Sequence, residues 1–259
     1  MRDFHVHSTY SDGRFLPSMI RAAEECGLDA VGIADHCTVS PRGFPQDRRA
    51  ELGFNLDATY ERRSRGIDRL RETANVGIYD AVEMDYDPRD EDEIRSFLSE
   101  AAFDYVIGSI HVVGDIDIQS PSAVAGLSSA ELDGVIDRYF ENLIAMIESG
   151  LFDVAAHPDL FERTEPLQGR ATGEHYHRAA RAFVDSRTVP EINAGRALTE
   201  SELISPSATF LDVLREHDVR FTVGSDAHRP GEIGGRIEFL SAFVKERDIE
   251  TVTPPSVDS

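Results

Sequence analysis

The sequence predicts an α/β fold, a distorted seven-stranded (β/α)7 barrel, and three observations lead there. Short apolar runs alternate with amphipathic helical patterns in seven strand-then-helix units. Such alternation implies parallel strands joined by right-handed crossovers. Six of the seven runs end in His, Asp or Glu: FHVHSTYSD, VGIADH, YDAVEMD, YVIGSIH, FDVAAHPD and FTVGSDAH. An open sheet gathers ligands from roughly two or three strand ends near its switch point, whereas a closed ring turns every C-terminal strand end to one face. Seven units are one short of the familiar eight-fold barrel, hence the expected distortion.

The first strand is predicted over 2–7, where His5 and His7 alternate with Phe4 and Val6, so both imidazoles share one side. Helix 17–26 opens on Pro17, a favoured first-turn residue, and ends at Cys26, expected as a small core residue. Strand 30–35 runs into Asp35 and His36. An irregular insert follows at 38–56, rich in Pro, Gly, Arg and Asp. Long loops on a catalytic face often cover substrate. Helix 57–74 precedes strand 76–84 with Glu83 near its end, and helix 90–101 precedes strand 104–110, which ends at His111. After a loop at 114–127, helix 129–148 carries Leu132, Val135, Ile136, Tyr139, Phe140, Leu143, Ile144 and Ile147 at helical spacing, with Ser128 or Ser129 as cap. Strand 152–157 ends at His157, followed by helix 174–186, strand 188–193, helix 207–217, strand 220–225 and helix 232–245. Asp226 and His228 follow the last strand, again two residues apart. Residues 1–250 are expected as one domain and the tail 251–259, TVTPPSVDS, as disordered.

The 259 residues suit one large domain, and no run of about 18 apolar residues marks a membrane span. The chain opens on a strand pattern, which argues against a signal peptide. Cys26 and Cys37 form neither a metal nor a redox spacing, so a cytoplasmic location is expected; the role of Cys37, beside His36, stays open. The net charge of −22 is spread along the chain, and Lys245 is its one lysine. Such acidity repels nucleic-acid phosphates, and the absence of Trp removes stacking platforms for an extended strand. It also points to a high-salt source, because the Debye length shrinks to about 3 Å at 1 M and screens self-repulsion.

His5, His7, Asp12, His36, Glu83, His111, His157, Asp226 and His228 make nine candidate ligands, more than one tetrahedral ion needs. Imidazole suits zinc, iron and related metals, and carboxylates bridge ions. The set fits three divalent ions (Zn, Mn or Fe) if one carboxylate bridges and waters complete the shells. His175, His177 and His217 lie in or at the ends of predicted helices and are read as structural.

HVHSTYSDG, IADH, Glu83, GSIH, AHPD and GSDAH together resemble the motifs of the PHP (polymerase and histidinol phosphatase) family over roughly residues 3 to 234. The resemblance implies a distorted seven-stranded barrel with a trinuclear centre. Position by position, it implies one ion at His5, His7, Glu83 and Asp226, and a second at Glu83, His111 and His157. Asp12, His36 and His228 would hold the third. GSIHVVGDIDI, AHPDLFER and PEINAGR resemble the histidinol-phosphatase branch, in which arginines bind substrate phosphate; Arg163 and Arg196 stand at matching places. The run after EIN is shortened to AGRALTE, and either arginine could instead pair with an acid such as Glu165 or Glu200.

The expected function is hydrolysis of a small phosphomonoester, L-histidinol phosphate foremost, by metal-held hydroxide, with arginines neutralising the phosphoryl oxygens. The sequence names no general acid and leaves the oligomeric state open. Three alternatives remain: a PHP-type nucleotide or short-oligonucleotide phosphoesterase, a non-enzymatic metal-binding module, and a mononuclear amidohydrolase. The last normally needs a bridging lysine or a late lone Asp ligand, and the one lysine sits at 245.

Overall fold

Apolar runs flanked by turn residues form the strands of the computed structural model, which describes residues 1–257. They are β1 (Arg2–Val6), β2 (Ala30–Cys37), β3 (Gly77–Asp85), β4 (Tyr105–Ser109), β5 (Val112–Val113), β6 (Ile116–Asp117), β7 (Val154–Ala155), β8 (Val189–Arg196), β9 (Leu203–Ser205) and β10 (Thr222–Gly224). The main sheet runs β1-β2-β3-β4-β7-β8-β10 with all neighbours parallel, and β9 adds antiparallel to β8. This is the curled seven-stranded sheet of the expected distorted barrel.

Between β10 and β1 the ring is drawn together at its mouth rather than by a regular ladder. Asp226 N–H donates to the His5 carbonyl at 2.8 Å, and His7 N–H to the Ala227 carbonyl at 2.9 Å. Asp3, fully buried, accepts from Ser225 N–H at 2.9 Å and pins the same seam.

The helices are α1 (Leu16–Glu25), α2 (Gly43–Leu52), α3 (Tyr60–Arg71), α4 (Glu91–Ala101), α5 (Pro121–Val124), α6 (Ser129–Glu148), α7 (Gly173–Val184), α8 (Ala208–Glu216) and α9 (Pro230–Glu246). In α6 a capping box joins Ser128 and Glu131, and the buried face carries Leu132, Val135, Ile136, Tyr139, Phe140, Leu143, Met146 and Ile147. Most helices bury such a stripe against the outside of the sheet. Inside the ring, Phe4, Ala34, Ala81, Tyr105, Ile107, Val154, Ala156 and Val189 form a separate apolar cluster. Ala34, Ala81 and Val189 each stand two residues before His36, Glu83 and Glu191 on their strands, so this cluster floors the mouth-facing polar residues.

Several expectations change. The insert 38–56 contains α2, and the loop 114–127 contains β6 and α5. Of the predicted strand 152–157 only Val154–Ala155 forms β7, and the chain leaves extended geometry by His157, where φ is 29°. Cys26 is exposed at the end of α1, not in the core. The tail expected to be disordered is engaged over its described part. Val252 N–H donates to the Phe221 carbonyl at 2.8 Å, Ser256 Oγ to Asp153 at 2.7 Å, and Val252 and Val257 pack beneath the inner cluster. Residues 258–259 lie outside the described residues. No helix among the described residues is long and apolar enough to cross a membrane.

Candidate metal centre

Alternation along β1 sends His5 and His7 into the mouth, where their Nε2 atoms approach to 3.1 Å. The turn after β1 brings Asp12 back over them: Ser11 N–H and Gly13 N–H both donate to the Ser8 carbonyl, at 3.1 and 2.9 Å. Gly13 is required there, since a Cβ would stand 2.5 Å from the His7 carbonyl carbon. His36 and Glu83 come from the adjacent, in-register positions of β2 and β3. His111 follows β4, His157 follows β7, and Asp226 and His228 follow β10. His157 and Asp226 have φ of 29° and 53°, left-handed values that a non-glycine residue holds at a cost of about 1–3 kcal/mol. Such strain turns the chain sharply at two strand ends.

Glu83 stands at the middle. Its Oε2 lies 2.8 Å from His36 Nδ1, 3.3 Å from His5 Nε2 and 3.5 Å from His7 Nε2. Its Oε1 lies 3.0 Å from His157 Nε2 and 3.5 Å from His111 Nε2. Around this hub, His7 Nε2 is 3.3 Å from Asp226 Oδ1, and His228 Nε2 is 3.2 Å from Asp12 Oδ1. Three groups with metal-binding geometry emerge: His7, Asp12, His36 and His228; His5, His7 and Glu83; and His36, Glu83 and His111. All nine sequence-derived candidates therefore share one connected cluster. The groups overlap at His7, His36 and Glu83 instead of dividing into three separate sets. His175, His177 and His217 stay outside it: His175 pairs with Asp137 at 2.9 Å, and the other two bond each other at 3.0 Å.

The donor chemistry fits cations. His228 Nδ1 donates to the Asp226 carbonyl at 2.9 Å, His5 Nδ1 to Glu191 at 2.8 Å, and His111 Nδ1 to Asp85 at 2.5 Å. In each neutral ring Nε2 is then a lone pair, and each points at a carboxylate oxygen of Asp12 or Glu83. Acceptor faces acceptor three times, and Glu83 Oε2 is buried with no hydrogen-bond donor among the described residues. Divalent cations between them resolve this arrangement; protons are the other way to do so. Without cations, burial opposes charge on Glu83, yet the imidazoles of His36 and His5 hold its carboxyl well below the usual range. Burial likewise disfavours charge on His36, but Glu83 and Asp12 outweigh it and push the ring up to about 9. His7 is pushed down to about 4 by burial and by its neighbours His228 and His36.

Beyond the nine candidates, further carboxylates support the cluster, Asp85 on His111 among them. Glu191, inside β8, accepts from His5 and from the His157 N–H at 3.1 Å. Gly224, beside its carboxylate, must lack a side chain, since a Cβ would meet Glu191 Oε1 at 1.8 Å and His5 Cβ at 2.6 Å. Asp35 turns away from the mouth. It accepts from Ser8 N–H (2.6 Å), Ser8 Oγ (2.7 Å), Ser11 Oγ (2.8 Å) and the buried Arg63 (3.0 Å).

Arg163 and Arg196 line a cavity of about 520 Å³ beside the cluster, together with Arg14, Arg229 and Arg236. Arg163 donates to Asn193 Oδ1 at 2.9 Å and lies 3.6 Å from Asp226, rather than pairing with Glu165. Arg196 is exposed at the end of β8 and forms no ion pair among the described residues. Arg14 and Arg229 had no motif to mark them.

A parallel α/β ring whose strand ends focus six imidazoles and three carboxylates on one mouth defines a barrel of the divalent-metal-site class. The chain belongs to the PHP family, whose PHP domain matches residues 3–195. Asp226 and His228 lie beyond that match and join the cluster through the seam. A probable histidinol-phosphatase of Deinococcus radiodurans is 29% identical over 237 residues, covering 90% of this chain and 87% of its own. A second protein so described, from Clostridium acetobutylicum, is 25% identical over 244 residues, covering 90% and 88%. The crystal structure of histidinol phosphate phosphatase from Lactococcus lactis subsp. lactis, complexed with zinc, L-histidinol and phosphate, superposes with a TM-score of 0.73 at 19% identity. It covers 97% of this chain and 95% of that one. At that identity the likeness is one of fold.

Proposed function

We propose that this protein hydrolyses a small phosphomonoester, L-histidinol phosphate, to L-histidinol and phosphate. The observation that carries the reading is the arginine-lined cavity opening directly onto the imidazole–carboxylate cluster. The relatives described as histidinol-phosphatases support the leaving group. On this reading the cluster would hold three divalent cations (Zn, Mn or Fe). His5, His7, Glu83 and Asp226 would hold one, Glu83, His111 and His157 a second, and Asp12, His36 and His228 the third. When bound, the cations supply Lewis acidity toward the phosphoryl group and a water of lowered pKa. The chain's own groups do the rest. Arg163, braced by Asn193, and Arg196, without an ion pair among the described residues, bind and orient phosphate oxygens through their forked donors. Glu191, Asp85 and the Asp226 carbonyl keep His5, His111 and His228 in the tautomer that presents Nε2.

A second reading, hydrolysis of a nucleotide phosphoester, is favoured by one observation: Arg14 and Arg229 add positive charge to the same cavity beyond what one phosphate needs. The acidic composition supports a salt-rich setting. The deciding experiment is phosphate release from L-histidinol phosphate, a nucleoside bisphosphate and an aryl phosphate, in molar salt with manganese or zinc. A preference for histidinol phosphate of about a hundredfold in kcat/KM, roughly 2.7 kcal/mol, establishes the first reading. Activity confined to the bisphosphate establishes the second, and no release from any ester defeats both.

A further inference from the structure

Two cavities meet over the metal centre and share Asp12, His36, His111 and Gln119. One is the arginine-lined cavity. The other, about 140 Å³, lies beneath α2 and has a different chemistry, with Phe54, Leu52, Pro45 and Tyr86 in its wall. Its carboxylates are already engaged. Asp90 takes a two-pronged bond from Arg42 at 2.9 and 2.6 Å, Asp87 is bound by Arg89 at 2.8 and 2.6 Å, and Asp85 holds His111 at 2.5 Å. Its arginines are engaged as well, Arg42 by Asp90, Arg48 by Asp117 and Arg49 by Asp57, so beside the Gln119 carboxamide the wall offers the aromatic and aliphatic groups of Phe54, Leu52, Pro45 and Tyr86. The Phe54 ring lies near-parallel to that of His36, with centroids 6.2 Å apart and planes at 24°, so it flanks the site where the phosphoryl group would sit.

The roof of this cavity does not serve the core. Among the residues of α2 only Pro45 is buried. Ion pairs hold the helix instead: Arg42 to Asp90, Arg48 to Asp117 at 3.2 Å and Arg49 to Asp57 at 3.0 Å. A helix that stabilised the fold would bury an apolar stripe. This one spans the mouth beside the cluster and encloses a space.

We infer that the cavity beneath α2 receives the leaving group, and that Phe54 selects a leaving group bearing a flat unsaturated ring. The inference rests on the phosphomonoester reading above and adds the side of the centre on which each half of the substrate lies. With phosphate drawn to the unengaged arginine side, an ester oxygen at the centre directs its carbon substituent into the adjoining cavity, whose ion pairs are already made and whose wall carries Phe54, Leu52 and Pro45. A ring there covers Phe54 and Leu52 and gains by leaving water.

The test compares 2-phenylethyl phosphate with ethyl phosphate, matched monoesters that differ by the ring, on wild type and Phe54→Ala, with metal content measured on both proteins. Wild type should prefer the ring-bearing ester by about tenfold or more in kcat/KM, and F54A should bring that ratio to within about twofold. Metal content should be unchanged. No preference in wild type, or a preference kept in F54A, overturns the inference. So does a loss of metal with an equal fall on both esters, which would show Phe54 acting only through His36. L-Histidinol phosphate in the same assay keeps the two readings apart. If it is not turned over while the two-ester ratio behaves as stated, the substrate assignment fails and the cavity assignment stands.

Discussion

His5 Nδ1 and Glu191 Oε1 stand 2.8 Å apart although 186 residues separate them in the chain. The bond fixes the proton of His5 on Nδ1 and leaves Nε2 free to face Glu83. Glu191 also accepts from the His157 N–H and from Asn193 Nδ2 at 2.9 Å, and Asn193 in turn braces Arg163. One carboxylate thus orients two candidate ligands and one candidate phosphate-binding arginine. Glu191→Gln keeps the shape and removes the charge. It should weaken metal affinity about 10- to 100-fold, as loss of such supporting bonds does elsewhere. A titration against a competing chelator measures this, and unchanged affinity would reduce Glu191 to a packing residue.

Arg63 is fully buried between Asp35 and Asp80, at 3.0 and 2.6 Å. Its role runs beyond the pair, because Asp35 also ties down Ser8 and Ser11 in the loop that presents Asp12. Arg63→Met removes the charge while filling similar volume, and leaves Asp35 and Asp80 uncompensated. The expected cost is about 3–5 kcal/mol in urea unfolding of the metal-free protein. A cost below about 1 kcal/mol would mean that the two carboxylates are solvated without Arg63.

The cluster makes pH act oppositely on metal-free and metal-loaded protein. In the metal-free state the folded pKa of His36 is raised from 6.5 to about 9, burial notwithstanding, by Glu83 and Asp12. A raised pKa contributes stability that is fully present below the unfolded value and lost as pH rises through the folded one. His5 is raised in the same direction by Glu191 and Glu83 against its burial. Glu83 is depressed, so its contribution holds above about 4.5 and is lost toward acid. The Tm of chelator-treated protein should therefore fall between pH 6.5 and about 9. The metal-loaded Tm should rise over the lower part of that window, because cations must displace those protons to bind. Parallel pH profiles for the two forms would defeat the assignment of His36 and His5 as ligands.

What was legible in the sequence followed periodicity. His5 and His7 alternate with apolar neighbours, and Glu83, His111 and His157 close apolar runs, so topology alone carried them to one mouth. Glu191 was not legible because it sits within a strand rather than at its end, in VPEIN, where a lone acid has no local partner to announce it. The helix α2 was hidden because it lacks an apolar stripe and is held by arginine–carboxylate pairs from distant loops. The engaged tail was hidden for a related reason: its partners, Phe221 and Asp153, are set by tertiary position, and its own composition reads as loop.

Salt should stabilise this protein, and the sign follows from weighing two effects. Screening weakens attractive pairs, but the exposed ones, such as Arg65–Glu61 and Arg69–Glu72, are worth only about 0.2–1 kcal/mol each. The buried Arg63 pairs lie beyond the reach of counterions. Screening also relieves the self-repulsion of a net charge of −22, which acts on the whole surface. Raising KCl from about 0.1 M to about 1 M shortens the Debye length from about 10 Å to about 3 Å and removes most of that repulsion. The Tm should therefore climb across this range, with chloride salts of different cations giving similar curves if screening is the cause. A flat or falling Tm would show that the attractive pairs outweigh the net charge, and would remove the physical basis for a high-salt setting.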